Sequence, residues 1–300
     1  MGPAGSNRVD NGLRLQDGSR VGTADGHDLR VPYVLTLLTI VSMAAVSVGG
    51  AFASGWLYRD NPLITATFRG QDLVTLLVAV PLLVAGLFLE RRGSSRGRVL
   101  WLGMVFYAMY GYLFYAVGAA FNVFFLLYVA IFGLALYALV FAVPRIELAP
   151  LAAAMGGRAA RAVAIGYMLV VAAGLGLLWI GVSLSYLFTR VVPAPIVASG
   201  HPTGVVFAID LVFIVPAMLI GAIGLIRRRA TAWVLAGVMS VSGTVYTLSL
   251  AAASITVVRA GLGAGEELPI WISLTLLGAV TATLLLSRMR HTHSRHDLQS

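Results

Sequence analysis

Apolar runs broken by short polar connections set the pattern of this chain. Eight of them, near residues 31–57, 73–89, 99–119, 122–143, 162–188, 205–226, 232–258 and 269–286, are long enough to cross about 30 Å of hydrocarbon at about 1.5 Å per helical residue. A backbone in lipid must satisfy its own polar groups, and runs of this length do so as helices. The pattern predicts an all-α polytopic transmembrane bundle of eight spans over residues 31–286, with a disordered cytoplasmic tail at 1–30 and a cytoplasmic C-terminal tail at 287–300. The first 30 residues are too long and too acidic for a signal-peptide n-region, so the first span is expected to be retained.

Composition agrees with that class. Hydrophobic residues make up 59% of the chain and charged residues 11%, against about a quarter charged in a soluble domain. The formal charge of +9 suggests nucleic acid at first sight, but all 21 basic residues are arginines gathered at the ends of apolar runs. They act as a topology signal, and no nucleic-acid partner is expected. The tails and the 2/3, 4/5 and 6/7 connections hold 17 of them and the other connections 4, which puts both termini in the cytoplasm of a cell membrane. The even span count demands the same answer. Arginine without lysine, with heavy Ala, Gly and Val usage, suits a GC-rich bacterial source. The absence of cysteine excludes disulfides, thiol nucleophiles and iron–sulfur ligation.

A weak parallel four-plus-four repeat shows when spans 2 and 6 are aligned on Pro81 and Pro216, each followed five residues later by glycine, Gly86 and Gly221. Spans 3 and 7 align from Trp101 and Trp233, sharing Gly111 with Gly243 and Ala119, Ala120 with Ala251, Ala252. Some transporters are built this way.

With that orientation, polar side chains crowd the outer halves of the spans: Tyr110, Tyr112 and Tyr115 in span 3, Asn122 and Tyr128 in span 4, Ser183 and Tyr186 in span 5, and Asp210 in span 6. They predict an aromatic-walled pocket opening outward, or else an interfacial belt to which Trp56, Trp179 and Trp271 would belong. Asp210 is the strongest pointer, because a carboxylate at mid-membrane costs about 2.5 to 3.5 kcal/mol to insert. Helical phase groups it with Ala217, Gly221 and Gly224, a small-residue face that packs on other helices. Pro216 cannot donate to Val212, so a kink and a freed carbonyl are expected just below it. Two roles remain open: a ligand site, or a structural pin to a tyrosine of span 3 or to an outer arginine.

The outer 1/2 connection, YRDNPLITATFRGQDLV, predicts a short interfacial helix over 62–69, capped by Asn61 and stopped by Gly70, with Leu63 and Phe68 dipping into lipid or over a pocket. Asp72 is then expected to cap span 2, and Arg59 and Arg69 to be the candidate partners of Asp210. His201, in HPTG before span 6, lies at the expected pocket mouth or in solvent. The tail histidines His291, His293 and His296 have a spacing that binds metal adventitiously, and no metal site is assigned to them. MGPAGS at the start matches a myristoylation pattern by chance. No P-loop, Rossmann fingerprint, HExxH or GxSxG is present. No cofactor is implied and no catalytic residue can be named.

The runs YRDNPL and RGQDLV, and AIDLVFIVPAM ending in RRR, resemble a pattern shared by an uncharacterised family of bacterial multi-span integral membrane proteins with no assigned activity. The resemblance covers about a third of the chain and implies no role for any residue. The function expected is binding or movement of a small molecule, ion or lipid headgroup through an outward-facing polar and aromatic cavity near Asp210. One alternative is a membrane-embedded enzyme acting on a lipid-linked substrate, with Asp210 and either His201 or Asp72 as acid and base. The other is a subunit of a larger membrane complex. The lipid bilayer is the expected partner, and no protein partner is identified.

Overall fold

The computed structural model describes residues 2, 28–287 and 289; His27, His291, His293, His296 and most of both tails lie outside them. The described residues form helices and connections without strands. Eight helices are long and apolar enough to span a membrane: span 1 Arg30–Leu57, span 2 Pro62–Arg91, span 3 Ser95–Gly118, span 4 Phe125–Arg145, span 5 Arg158–Thr189, span 6 Val205–Ile226, span 7 Ala230–Arg259 and span 8 Leu268–Ser287. Two short helices, Leu148–Met155 and Ala194–Ser199, lie in the 4/5 and 5/6 connections. An even number of crossings brings both ends of the chain to one face, called here the terminal face; the opposite one is the far face.

Each half of the chain packs in the same order. Spans 1 and 2, 2 and 3, 3 and 4, and 1 and 4 are neighbours, as are 5 and 6, 6 and 7, 7 and 8, and 5 and 8. The halves meet where span 7 lies on spans 2 and 3 and span 3 meets span 6. Span 7 is therefore central, and its buried face is small: Ala232, Ala236, Gly237, Ser240, Ser249 and Ala253. Small residues let helices approach closely where lipid offers no hydrophobic drive to associate. Most of its hydroxyls turn back onto their own helix, Ser240 onto the Gly237 carbonyl at 3.1 Å and Ser249 onto the Tyr246 carbonyl at 2.7 Å, while Thr256 also reaches the Ala66 carbonyl of span 2 and Thr247 meets Thr275 of span 8.

Spans 2 and 6 share a break in the helical ladder. The turn Thr75–Ala79 in span 2 and the turn Asp210–Ile214 in span 6 widen to the π register, with the Val80 amide donating to the Thr75 carbonyl and the Val215 amide to the Asp210 carbonyl. Pro81 and Pro216 follow at once, in both cases the second residue of the resumed α-helix. A proline supplies no amide and its ring crowds the turn before it, and a widened turn relieves both. The expected kink is thus a π turn, and it occurs twice. The other aligned glycines are not equivalent: Gly86 lies against the Trp101 backbone, whereas Gly221 lies against the Met168 side chain.

The 1/2 connection differs from expectation in an instructive way. Asn61 does cap a helix, its side chain accepting from the Ile64 amide at 2.9 Å, and Pro62 takes the first position. The helix does not stop at Gly70, however, but runs on through the membrane to Arg91. Gly70 is a packing residue: a Cβ there would lie 2.5 Å from Ala253 Cα and 2.6 Å from the Ala252 carbonyl oxygen of span 7. Phe68 is fully buried inside the bundle, and Asp72 is interior rather than a cap.

On the terminal face the chain meets a buried carboxylate in the ordinary way. Glu90, 2% exposed, receives the Arg98 guanidinium at 2.9 and 3.0 Å and the Tyr33 hydroxyl at 3.3 Å.

The span 2/span 7 crossing gives a direct test. Gly70→Ala is expected to lower the melting temperature in detergent, by overpacking worth about 1 to 3 kcal/mol. Gly55→Ala, where an added Cβ meets nothing within 4 Å, should leave it unchanged. Equal melting of the two variants would return Gly70 to the role of a helix stop.

Candidate functional site

Asp210 begins the π turn of span 6 and is 4% exposed. Its partners are the Tyr110 hydroxyl of span 3, which donates to Oδ1, and the Trp179 indole of span 5, which donates to Oδ2 at 2.8 Å. Two further rings hold these donors in place. Trp179 stacks on Phe207 with centroids 4.1 Å apart, and Tyr246 meets Tyr110 edge to face at 4.8 Å. The bond from a tyrosine of span 3 matches one expectation, and neither Arg59 nor Arg69 is a partner. Both are exposed at other places on the far face.

A second buried carboxylate stands beside the other π turn. Asp72, 1% exposed, precedes Thr75 by one helical turn. The Tyr58 hydroxyl, just past span 1, donates to Oδ2, and the Tyr115 hydroxyl of span 3 donates to Oδ1 at 3.4 Å. Span 1 makes room with a glycine, since any Cβ on Gly50 would overlap the Asp72 carboxylate. Below it, the Thr75 and Tyr107 hydroxyls share a hydrogen bond of 2.8 Å.

The two sites follow one plan. Each carboxylate lies on the second span of its half. Each receives one donor from span 3 and one from the first span of its own half or the residue just after it. Among the described residues the salt bridges are Arg98 with Glu90 and Arg30 with Asp28, so neither carboxylate has a cation. The donors differ in kind from an arginine. A guanidinium only donates and so holds a carboxylate only in its charged form. A tyrosine hydroxyl donates or accepts, so it meets a carboxylate or a carboxylic acid equally well.

Of the expected pocket tyrosines, Tyr112, Tyr115 and Tyr128 are brought together as a packed core, whereas Tyr110 stands apart at Asp210. Tyr110, Tyr112, Tyr115 and Tyr128 are all buried. Tyr115 stacks on Phe68 at 4.6 Å and on Tyr112 at 5.5 Å, and lies 5.2 Å from Tyr128. These rings close over Asp72 and do not line an open space beside Asp210. Belt residues separate cleanly from them, for Trp56 is 72% exposed and Tyr186 and Ser183 also face outward.

Above the rings, three connections of the far face form a cap. Asn61 donates to the Ala198 carbonyl at 2.9 Å, tying the 1/2 to the 5/6 connection. Asp60 accepts from the Ala120 amide at 2.9 Å, tying it to the 3/4 connection. Asn122 lies before span 4 and folds its own connection, accepting from the Phe124 amide at 2.9 Å. His201 sets its ring edge on Phe114 at 5.8 Å, which places it over the Asp72 cluster. Burial raises the pKa of the Asp60 carboxyl, with the Ala120 bond opposing the shift. Burial, reinforced by the Asp72 carboxylate, pushes the Tyr58 phenol well up.

Among the described residues, the buried polar side-chain atoms without a hydrogen-bond partner are Asp60 Oδ2, Tyr128 Oη and His201 Nε2. All three belong to this cap and the cluster beneath it. A buried polar group left unmet costs about 1 to 3 kcal/mol, so these three atoms are where the cap has capacity for a further polar partner.

Sequence reasoning found Asp210 and most of the rings but missed the roles of Asp72, Tyr58, Trp179, Gly50 and Asp60. The aligned prolines were the signal available for Asp72, since laying span 6 on span 2 puts the two carboxylates within one turn of each other. No family model, no curated protein and no solved structure matches the chain.

Proposed function

We propose that this multi-span membrane protein binds and moves a small molecule or ion, with Asp72 and Asp210 as paired titratable centres. The observation that carries the proposal is that, among the described residues, neither buried carboxylate has a cation beside it, in a protein that does supply Arg98 to Glu90. Tyrosine and tryptophan donors leave the negative charge uncompensated, so a proton or a bound cation must complete each site. Both carboxylates adjoin widened turns in the corresponding spans of the two halves, as binding residues do in transporters built from repeats. Access runs through the far-face cap, where Asp60, Tyr128 and His201 have unmet polar atoms. The same arrangement favours transport over the enzyme alternative. Among the described residues no histidine or second carboxylate is hydrogen-bonded to Asp72 or to Asp210, as a ready acid–base pair would require.

The arginine bias supports a cytoplasmic terminal face carrying both termini, with the cap facing outward. Reporter domains fused to either end should be active only when they require the cytoplasm. Activity of an externally folded reporter at either end would reverse the assignment.

The central test uses protons as the probe. Whole protein reconstituted in liposomes with an internal pH-sensitive dye should carry protons under a pH step or an opposing sodium or potassium gradient. Asp72→Asn and Asp210→Asn should each abolish the flux while melting within a few degrees of the parent. An amide satisfies the same partners: at position 72 its oxygen accepts from one tyrosine and its NH2 donates to the other, and at position 210 its oxygen accepts from the Trp179 indole and its NH2 donates to the Tyr110 hydroxyl. Unchanged flux in both variants, or no protein-dependent flux under any gradient, would overturn the proposal. So would a severe loss of stability in both variants, because it would make the carboxylates structural.

A further inference from the structure

Two of the four arginines assigned to far-face connections, Arg69 and Arg259, converge on one groove. It has a volume of about 500 Å³ and is lined by Ser54 at the end of span 1, by Thr65 and Arg69 in the first turns of span 2, and by Thr256 and Arg259 at the end of span 7. Both arginines are exposed, and neither takes part in a salt bridge. Two like charges facing one depression repel unless an anion lies between them. The other far-face arginines, Arg59 and Arg190, do not line the groove.

The position of the groove narrows the class of anion. Span 2 forms its floor, and spans 1 and 7, which both pack on span 2, form its sides. Arg69 lies seven residues into span 2, about 10 Å below the helix start, and Arg259 is the last residue of span 7. Both therefore lie toward the far-face ends of their spans, at the depth of lipid headgroups, with apolar Leu73 one turn below Arg69 and Ala66 one turn above it. The Thr256 hydroxyl is already committed, donating to the Ala66 carbonyl at 2.7 Å across the span 2/span 7 contact. The guanidiniums remain as the principal donors, in the fork geometry that suits phosphate oxygens.

We infer that this groove binds a phosphate group, carried by a phospholipid headgroup of the leaflet on that face or by a soluble phosphate. It is separate from the Asp72 and Asp210 sites, so either conclusion can fail without the other.

The test is the melting temperature of the full chain in detergent, with three probes: phosphatidylglycerol, diacylglycerol with the same acyl chains, and inorganic phosphate. Phosphatidylglycerol should stabilise the parent, and diacylglycerol should not. Arg69→Gln and Arg259→Gln should each weaken the effect about tenfold in lipid concentration, as expected for loss of one charge-assisted contact. The double variant should abolish it, whereas Arg59→Gln should leave it intact. Stabilisation by phosphatidylglycerol alone identifies the lipid, and stabilisation by inorganic phosphate as well identifies a soluble ligand. The inference is overturned if neither probe stabilises the parent, or if the double variant responds as the parent does.

Discussion

A carboxylate buried among membrane helices must be met by groups from the bundle itself, and the choice of those groups decides what it can do. Arginine would give Asp72 and Asp210 a permanent counter-charge, of the kind Arg98 brings to Glu90. Tyrosine leaves the charge state free. Much of the surrounding construction serves that choice. Gly50 yields space for the Asp72 carboxylate, Phe68 and Tyr112 hold the Tyr115 ring, and Phe207 holds the Trp179 indole that reaches Asp210. The rings also keep lipid away from both sites.

The two halves repeat this plan with differences that bear on mechanism. Both place a π turn immediately before the Val-Pro pair of the second span. Asp210 is the first residue of its turn, so its own carbonyl accepts the long-range bond from Val215. Asp72 lies three residues before its turn and takes both donors from tyrosines, whereas one donor at Asp210 is an indole that can never accept. Asp72 is thus free to exchange either hydrogen-bond direction with both partners. Asp210 always keeps one oxygen as an acceptor toward Trp179. Asp72 is also the more deeply enclosed of the two, 1% exposed against 4% for Asp210.

The number of the spans and their all-helical class were legible in the sequence because length and apolarity alone decide them, whereas span 2 begins eleven residues before its apolar run. Asp210 was legible for the same reason, as a lone charge in a greasy run. Asp72 was not, because RGQDLV obeys the local rules for a helix stop followed by a new cap. A tertiary contact overrides those rules: Gly70 is there so that Ala252 and Ala253 of span 7 can approach, and the helix continues past it. Trp179 resembled a belt residue, since nothing in a single span reveals that its indole turns inward. Arg59 and Arg69 suggested ion pairing by type alone, while the bundle had chosen neutral donors. Proline marked the break in spans 2 and 6 without disclosing that the chain widens into a π turn there.

Infrared difference spectra between acidic and alkaline buffer, recorded on the whole protein in lipid nanodiscs, test most directly whether the two buried carboxyls titrate. The account predicts a protonated-carboxyl carbonyl band in the parent that changes with pH. That band should lose one component in Asp72→Asn and another in Asp210→Asn. Spectra identical in all three proteins would contradict it, because both carboxyls would then be held in one state throughout and could serve only to fasten the helices together.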